Sequence, residues 1–237
     1  MHVRKVNPDG SIRYKARLVA RGFTQVAGEN FDWNATFAPV LKLTTLRWIF
    51  SLIAQYDLDA SAADVTQAFL QADLYTESER EHFKDIIIEL PPGLEYECPT
   101  TGRKLQYARL NKALYGLIQA PHRWNKTFHA YLIDIGFTQH PQDPCLYYII
   151  QGKDFMILGN YVDDLIKVTN CTKLREQIDK LLEARFKITH QGVLTEFIGL
   201  QCGWRESGGG RYFQVHQGKY LDKILTRFGM SNCNSVS

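Results

Sequence analysis

The sequence lacks paired cysteines, long apolar runs and low-complexity tracts. Its 237 residues include five cysteines, an odd number with no C-x-x-C pair, which argues against a disulfide framework and a zinc ribbon. It contains no run of 18 apolar residues, and residues 1–5 have no apolar core of the kind that a signal peptide carries. We therefore expect a protein of a reducing compartment that is neither membrane-spanning nor secreted.

Acidic residues are absent from one stretch and concentrated in another. Residues 101–130 carry six Lys/Arg and no acid, and residues 1–30 carry six Lys/Arg against two acids. Residues 57–97, in contrast, hold eleven Asp/Glu against two basic residues. Two basic stretches around an acidic one suit a polyanion that is held near a metal site, although such blocks can also be merely solvated faces.

Two adjacent carboxylates, Asp163 and Asp164, lie between the apolar segments 155–158 and 166–168. The β-branched flanks predict a β-hairpin with the acids at its tip. Neighbouring carboxylates repel one another and raise each other's pKa, so a divalent cation with oxygen ligands explains the pair. The alternative is an ordinary surface turn.

A third acid, Asp64, enters a small and apolar segment, residues 62–70. An unpaired buried charge is expensive, so Asp64 needs a partner. It either ends a strand and caps the next helix, or meets Asp163 and Asp164 across a sheet as a third metal ligand.

Basic residues recur on a predicted strand over residues 14–21, after a hairpin-turn signal at Asp9-Gly10. Lys15, Arg17 and, less closely, Arg21 lie on one face of this strand. Such a row of cations can grip a triphosphate or a nucleic-acid backbone, or it can protect an edge strand.

Helical spacing and turn residues predict the remaining elements. A first helix is capped by Thr44 or Thr45, and a second follows a tight turn at Gly116 and begins near Pro121. The glycine lets a backbone or a flat ring approach, which indicates a nucleotide pocket. The other predicted features are as follows: apolar positions Leu46, Ile49, Phe50, Ile53 and Ala54 on the first helix; Arg123 and Lys126 off the apolar stripe of the second; an acidic surface excursion at 73–85; a buried strand at 86–90; an amphipathic helix with Leu174, Ile178, Leu181, Leu182 and Phe186; strands at 197–201 and 212–215; and a last helix at 220–228.

Together these segments resemble the reverse transcriptase of Ty1/copia-type LTR retrotransposons over nearly the whole chain. Six motifs in the family's order carry the resemblance: KARLVARGFTQ at 15–25, TFAPV at 36–40, DV at 64–65 with AFL at 68–70, PPG at 91–93, KALYGL at 112–117 with QAP at 119–121, and YVDD at 161–164. The resemblance implies an α+β fold of the right-hand polymerase type, with fingers, a palm whose antiparallel sheet is backed by helices, and a truncated thumb. It implies a single domain, with fingers at about 1–60 and 73–120, palm at 61–72 and 121–200, and the primer-grip hairpin and the start of the thumb at 201–237.

The resemblance also implies an activity and a site. The activity is RNA-directed DNA synthesis, in which two Mg²⁺ ions, or Mn²⁺ in their place, assist attack of a primer 3′-hydroxyl on a deoxynucleotide. The implied catalytic and metal-binding residues are Asp64, Asp163 and Asp164, with the backbone carbonyl of Val65. The implied deoxynucleotide-binding residues are Lys15, Arg17, Phe69, Tyr115 and Gly116, where Phe69 excludes a ribose 2′-hydroxyl. The implied nucleic-acid contacts are Arg21, Gln119, Pro121, Arg123, Tyr161, Phe197 and Gly199.

The expected partners are an RNA or DNA template with its primer, deoxynucleotides, and integrase and RNase H regions of a longer polyprotein. We expect a cytoplasmic location, inside a virus-like particle for an intact element. The sequence departs from the family at Gly159-Asn160, where apolar residues are usual, at Ala72, where glycine is usual, and in the long excursion 73–85. Two alternatives remain open: a truncated, inactive nucleic-acid-binding fragment, and another two-metal enzyme such as a nuclease.

Overall fold

The computed structural model describes residues 2–6, 11–94 and 96–233, without the side chains of residues 2–6 and 13–16. The strands are β1 His2–Val6, β2 Ile12–Ala16, β3 Asp59–Val65, β4 Ile87–Glu89, β5 Tyr96–Glu97, β6 Lys104–Leu105, β7 Tyr107–Arg109, β8 Thr138–His140, β9 Asp143–Gln151, β10 Asp154–Tyr161, β11 Asp164–Thr169, β12 Ile188–Val193, β13 Glu196–Phe197, β14 Leu200–Ser207 and β15 Gly210–His216. The helices are α1 Leu43–Tyr56, α2 Glu77–Arg80, α3 Ala120–Asp134, α4 Thr172–Arg185 and α5 Gly218–Arg227, with 3₁₀ turns at Gly22–Thr24, Trp33–Ala35 and Ala68–Gln71. The fold class is therefore α+β, as predicted.

The chain divides into two compact units. The first comprises Met1–Ala38 and Gln67–Tyr131, and the second comprises Pro39–Thr66 and Leu132–Ser237. The predicted boundaries of fingers, palm and thumb are different ones and stay predictions. Among the helices that the structure describes, none is long and apolar enough to cross a bilayer.

A six-stranded antiparallel sheet, in the order β12-β3-β11-β10-β9-β8, forms the centre of the second unit. Its core includes the predicted stripe of α1 at Leu46, Ile49, Phe50 and Ile53, whereas Ala54 is exposed. The core also includes inward residues of β3 and β11, which alternate with residues on the other face as the pleat requires.

The start of α1 corrects the predicted cap. The helix begins at Leu43, with Lys42 at the N-cap position, so Thr44 and Thr45 lie inside it. Thr45 Oγ1 and the Lys42 N–H both donate to Asp143 Oδ2, at 2.5 and 3.1 Å. The carboxylate of Asp143, about 100 residues along the chain, thus accepts the hydrogen bonds that a local hydroxyl was expected to provide for the helix start.

The helix α4 packs on β10 and β11. Leu174, Ile178, Leu182 and Phe186 are buried as expected, but Leu181 is exposed and is not part of the core. Beyond α4, the strands β13, β14 and β15 form a second antiparallel sheet. The predicted continuous strand at 197–201 is wrong, because Ile198 and Gly199 make a tight turn with φ of 43° and 82° between β13 and β14.

In the first unit, β1 and β2 pair as an antiparallel hairpin. The predicted turn at Asp9-Gly10 lies outside the described residues. The strand β2 ends at Ala16, so Arg17 and Arg21 lie beyond it, and the predicted row of cations on one strand is wrong. Arg21 instead precedes the 3₁₀ turn at Gly22–Thr24.

Two further expectations for the first unit are corrected. The segment 73–85 is not simply a surface excursion, since Leu74 and Tyr75 belong to a core cluster with Leu114 and Leu117. The strand β4 forms where expected, but it is half-exposed, with Ile87 facing solvent. The helix α3 begins at Ala120 with Pro121 in its first turn, and Gly136, with φ of 98°, follows its end, as predicted.

Candidate active site

The predicted hairpin is formed by β10 and β11. Six consecutive residue pairs run in register from Met156 opposite Thr169 to Tyr161 opposite Asp164. Val162 and Asp163 are left as a two-residue loop, and Val162 has φ of 60°. A positive φ at the first loop residue is the pattern of a type II′ turn, which favours glycine. A β-branched residue there carries strain of about 1–3 kcal/mol, which the surrounding structure has to hold.

The strand β3 brings Asp64 beside this loop. Asp64 is directly opposite Asp164 in the antiparallel β3–β11 pair, where Cβ atoms are generally about 4.5–5.5 Å apart. The backbone N–H of Val65 donates to the backbone carbonyl of Asp163 at 2.7 Å. The residue before the next 3₁₀ turn is Gln67, so the alternative in which Asp64 caps that turn is not what the structure shows. Asp64 therefore lies beside the Asp163-Asp164 pair, although it is distant from them in sequence.

The electrostatics of Asp164 reflect this convergence. Burial raises the pKa of Asp164, and the charges of Asp163 and Asp64 raise it further, to about 6. Such a pKa means that the ionised carboxylate is partly removed from water and is repelled by neighbouring negative charges that no cation neutralises in full. A bound cation removes that repulsion.

The three carboxylates fit a hard divalent ion by ligand chemistry. In the part of the chain that the structure describes, no three acidic, imidazole or thiol groups are arranged as a ready-made metal cage. Mg²⁺ does not require one, because it usually keeps several waters and binds one or two carboxylates together with substrate phosphates. Asp64, Asp163 and Asp164 are the residues that would hold it.

The residues Gly159 and Asn160, where the family usually has apolar residues, fit into the hairpin without disturbing it. A Cβ at Gly159 would lie 2.8 Å from Ile166 Cγ2 and 2.9 Å from Leu41 Cδ2, so the glycine allows Leu41 to pack directly on the strand. Asn160 is buried, and its Oδ1 has no hydrogen-bond partner within the described residues. The pairing stays regular through both residues.

The predicted nucleotide residues cluster in the first unit. The rings of Phe69 and Tyr115 have centroids 4.8 Å apart, and the Arg17 guanidinium lies 6.0 Å from the Tyr115 centroid. The side chain of Lys15 lies outside the described part of the chain. The structure therefore brings together Arg17, Phe69 and Tyr115.

The close approach predicted at Gly116 is made by the chain's own backbone. Gly116 has φ of 92°, and a Cβ there would lie 2.1 Å from the Ala20 carbonyl oxygen. The Ala20 N–H donates to the Tyr115 carbonyl at 2.7 Å, and a Cβ at Gly22 would lie 1.9 Å from the Gly116 oxygen. Glycines at 22 and 116 thus fasten the KARLVARG segment to the Tyr115 turn.

Arg123, predicted to contact nucleic acid, is instead buried in the first unit. Its guanidinium donates two hydrogen bonds to Glu79, at 2.7 and 2.8 Å. Burial alone would raise the pKa of Glu79, but hydrogen bonds from Arg123 and Thr76 lower it to about 2. The prediction that Arg123 faces away from the core was wrong, and a guanidinium that is 5% exposed is poorly placed to meet a phosphate.

Glu79 is a residue that the sequence analysis missed. It forms a capping box with Thr76, in which the Glu79 N–H donates to Thr76 Oγ1 and the Thr76 N–H donates to a Glu79 carboxylate oxygen. The T-x-x-E spacing at 76–79 is a signal for such a helix start and would have located it.

The other predicted nucleic-acid residues have diverse surroundings. Gln119 is fully buried and accepts a hydrogen bond from Gln25 at 2.9 Å, so it braces the core of the first unit. Arg21 is exposed, and Pro121 is half-buried. In the second unit, Tyr161 is half-buried at the end of β10, Phe197 is buried, and Gly199 lies at the β13–β14 turn.

The chain is similar in sequence to known reverse transcriptases and to the polyproteins of plant retrotransposons. The family model described as "Reverse transcriptase (RNA-dependent DNA polymerase)" matches residues 1–237. The Retrovirus-related Pol polyprotein from transposon TNT 1-94 of Nicotiana tabacum is 35% identical over 98% of this chain and 17% of its own length. The Retrovirus-related Pol polyprotein from transposon RE1 of Arabidopsis thaliana is 32% identical over 99% of this chain and 15% of its own length. The chain thus spans about a sixth of the curated relatives it matches.

Proposed function

The chain belongs to the reverse transcriptase (RNA-dependent DNA polymerase) family, in its Ty1/copia-type form, and we propose on this premise that it carries out RNA-directed DNA synthesis. One observation carries the proposal. Asp64 lies opposite Asp164, and the bond from the Val65 N–H to the Asp163 carbonyl holds the hairpin loop against the same strand. Such a group of acids suits nucleotidyl transfer, in which negative phosphates have to be held beside a divalent ion.

The carboxylates have defined tasks in this proposal. Asp64, Asp163 and Asp164 would hold the divalent ions, and the Val65 carbonyl would be a further ligand. When bound, the ions lower the pKa of the primer hydroxyl and neutralise the leaving pyrophosphate. Asp164 has to be ionised to act as a ligand, and its pKa of about 6 makes protonation compete with metal binding in mildly acidic solution.

The nucleotide residues select and orient the substrate. Phe69 presents ring bulk to the sugar and disfavours a 2′-hydroxyl, while Tyr115 supports the Phe69 ring at 4.8 Å. Arg17, whose guanidinium lies 6.0 Å from the Tyr115 ring centroid, and Lys15 contact the triphosphate. Tyr161, Phe197 and Gly199 contact the primer or template strand, as does Arg21.

The wider context is also proposed. The two compact units take part in a right-hand polymerase layout, with the fingers, palm and thumb divisions given above. The relatives are named as Pol polyproteins, so integrase and RNase H regions are the expected neighbours in a longer polyprotein. The expected location is the cytoplasm, in a virus-like particle.

Primer extension on an RNA template with Mg²⁺ tests the activity. Asp64→Asn, Asp163→Asn and Asp164→Asn should each reduce extension by at least about 10²-fold, because each removes a ligand charge. Asp154→Asn, at the opposite end of β10, is the matched control and should extend normally. Template binding without extension would favour the inactive fragment, and cleavage of the template would favour a nuclease.

A further inference from the structure

Lys167 lies in the middle of the strand β11 and is almost completely buried. Its side chain is 1% exposed, and its neighbours Leu165, Ile166 and Val168 are all fully buried apolar residues. Burying an ammonium group is costly, and an apolar residue of similar volume is often neutral or better for stability. The presence of a lysine at this position therefore calls for a role other than filling the core.

The ammonium group joins three elements of the second unit. Nζ donates to Asp179 Oδ1 on α4 at 2.5 Å and contacts His190 Nδ1 on β12 at 3.1 Å. For that second contact to be a hydrogen bond, Nδ1 has to be the acceptor, so the proton of the neutral imidazole lies on Nε2. The Nε2 atom is 2.9 Å from a Glu183 carboxylate oxygen, in a geometry that does not qualify as a hydrogen bond.

These contacts cross over the strand that carries Asp64. The sheet order is β12-β3-β11, so Lys167 on β11 reaches His190 on β12 across β3. Lys167 is opposite Ser61, and His190 is opposite Ala63, the residue before Asp64. Lys167 and Asp164 are three residues apart and lie on opposite faces of the sheet, so Lys167 acts on the site only through the strands.

The register of β12 on β3 has a weak point at His190. Pairing is regular from Ile188 to His190, and a bulge follows before Gly192, which has φ of 75°. A strand shifted by one residue would turn all its side chains to the opposite face. A buried polar contact is well suited to fix one register among alternatives, which is its best-attested use in proteins.

We propose that Lys167 is a positioning residue that fixes the register of β12 and β11 on the two sides of β3, and thereby the placement of Asp64 relative to Asp164. Asp179 holds the ammonium from α4, and His190 transmits its position to β12. The role in activity rests on the proposed function, whereas the register role does not.

The first test is the double variant Lys167→Met/Asp179→Asn, which removes both charges and keeps the volume. It should unfold in urea with a midpoint equal to or above that of the wild type. Hydrogen exchange in metal-free protein should be at least ten-fold faster at the β12 amides 188–193. The Mg²⁺ concentration for half-maximal extension should rise, and kcat should fall by about ten- to hundred-fold with KM for the deoxynucleotide unchanged, since displacements on the order of 1 Å at reacting groups cost about 10²-fold.

A second variant tests the contact to β12 separately, and a control variant tests for unspecific effects of replacing a lysine. His190→Leu leaves the Lys167–Asp179 pair in place, alters a partly exposed residue, and should also speed exchange in β12. Lys180→Met, on the exposed face of α4, should change nothing. Wild-type exchange in β12 of either folded variant would overturn the proposal. If the wild type fails to extend primers, the proposed function fails, and the exchange data still decide the register role.

Discussion

Replacing Asp164 by asparagine should stabilise the protein at neutral pH in the absence of metal. The substitution keeps the size of the side chain and removes one negative charge from a partly buried position beside Asp163 and Asp64. Asparagine resembles the protonated form of aspartate in shape. The variant thus reports the cost of ionising Asp164 in the folded protein.

The magnitude follows from the pKa of Asp164. Folding raises this pKa from 3.8 to about 6, a change of about two units that corresponds to at most about 3 kcal/mol. Because the group is only partly buried, solvent screening places the expected effect between about 1 kcal/mol and that upper limit. The folded state binds the proton more tightly than the unfolded state, so the contribution of Asp164 to stability is fully present below about pH 4 and is lost as the pH rises through 6.

Urea unfolding in EDTA between pH 4 and pH 8 measures this difference. The wild type and Asp164→Asn should have nearly equal unfolding free energies at pH 4, and the variant should be more stable by about 1–3 kcal/mol at pH 7.5. Adding Mg²⁺ should narrow the gap, because the ion stabilises the wild type by binding its folded state. A variant that is less stable than the wild type at pH 7.5, or a difference independent of pH, would refute the reasoning.

Three other predictions follow from the packing. Gly116→Ala should destabilise the first unit by about 2 kcal/mol or more, because the new Cβ meets the Ala20 carbonyl oxygen and φ at this residue is positive. Gly152→Ala is the control: its φ is also positive but the space around it is open, so it should cost about 1 kcal/mol. Thermal unfolding measures both. Glu79→Gln should lower the free energy of unfolding by about 2–4 kcal/mol at pH 7, because it leaves Arg123 buried without its ion pair. The difference between variant and wild type should shrink as the pH falls from 4.5 towards 2, where Glu79 becomes protonated, and urea titrations measure it. Gly159→Ala should cost about 1–3 kcal/mol by overpacking, with primer extension reduced in proportion to the unfolded fraction.

Patterns in neighbouring residues were sufficient to predict the hairpin and the buried faces of two helices. The β-branched apolar segments on both sides of Asp163 and Asp164 predicted the hairpin, and the apolar spacing predicted the buried faces of α1 and α4. A strand that ends in Asp64 and caps the next helix was one of two alternatives for this segment, and β3 instead runs on to Val65. The segment around Asp64 gave its contact with the hairpin only as one of two alternatives, and the resemblance to a family decided between them.

The errors arose where partners distant in sequence decide the outcome. Arg123 was placed off the apolar stripe because a charged residue is usually exposed, but Glu79, 44 residues away, neutralises it in the interior. Lys167 was treated as part of an ordinary apolar flank, although Asp179 makes its burial possible. The start of α1 was misplaced because its bonds go to Asp143. Single-sequence periodicity contains no information about these partners.

The site combines several unfavourable local features that the rest of the second unit has to support. Val162 has a positive φ, and Asp164 is ionised against two neighbouring charges, each at a cost of about 1–3 kcal/mol at neutral pH. Two contacts hold the site in place against these costs: the hydrogen bond from the Val65 N–H to the Asp163 carbonyl, and the packing of Leu41 on Gly159. A cation bound beside Asp164 would lower the cost of ionising it and would leave the supporting contacts unchanged, so this arrangement supports the proposal that the site holds a divalent ion.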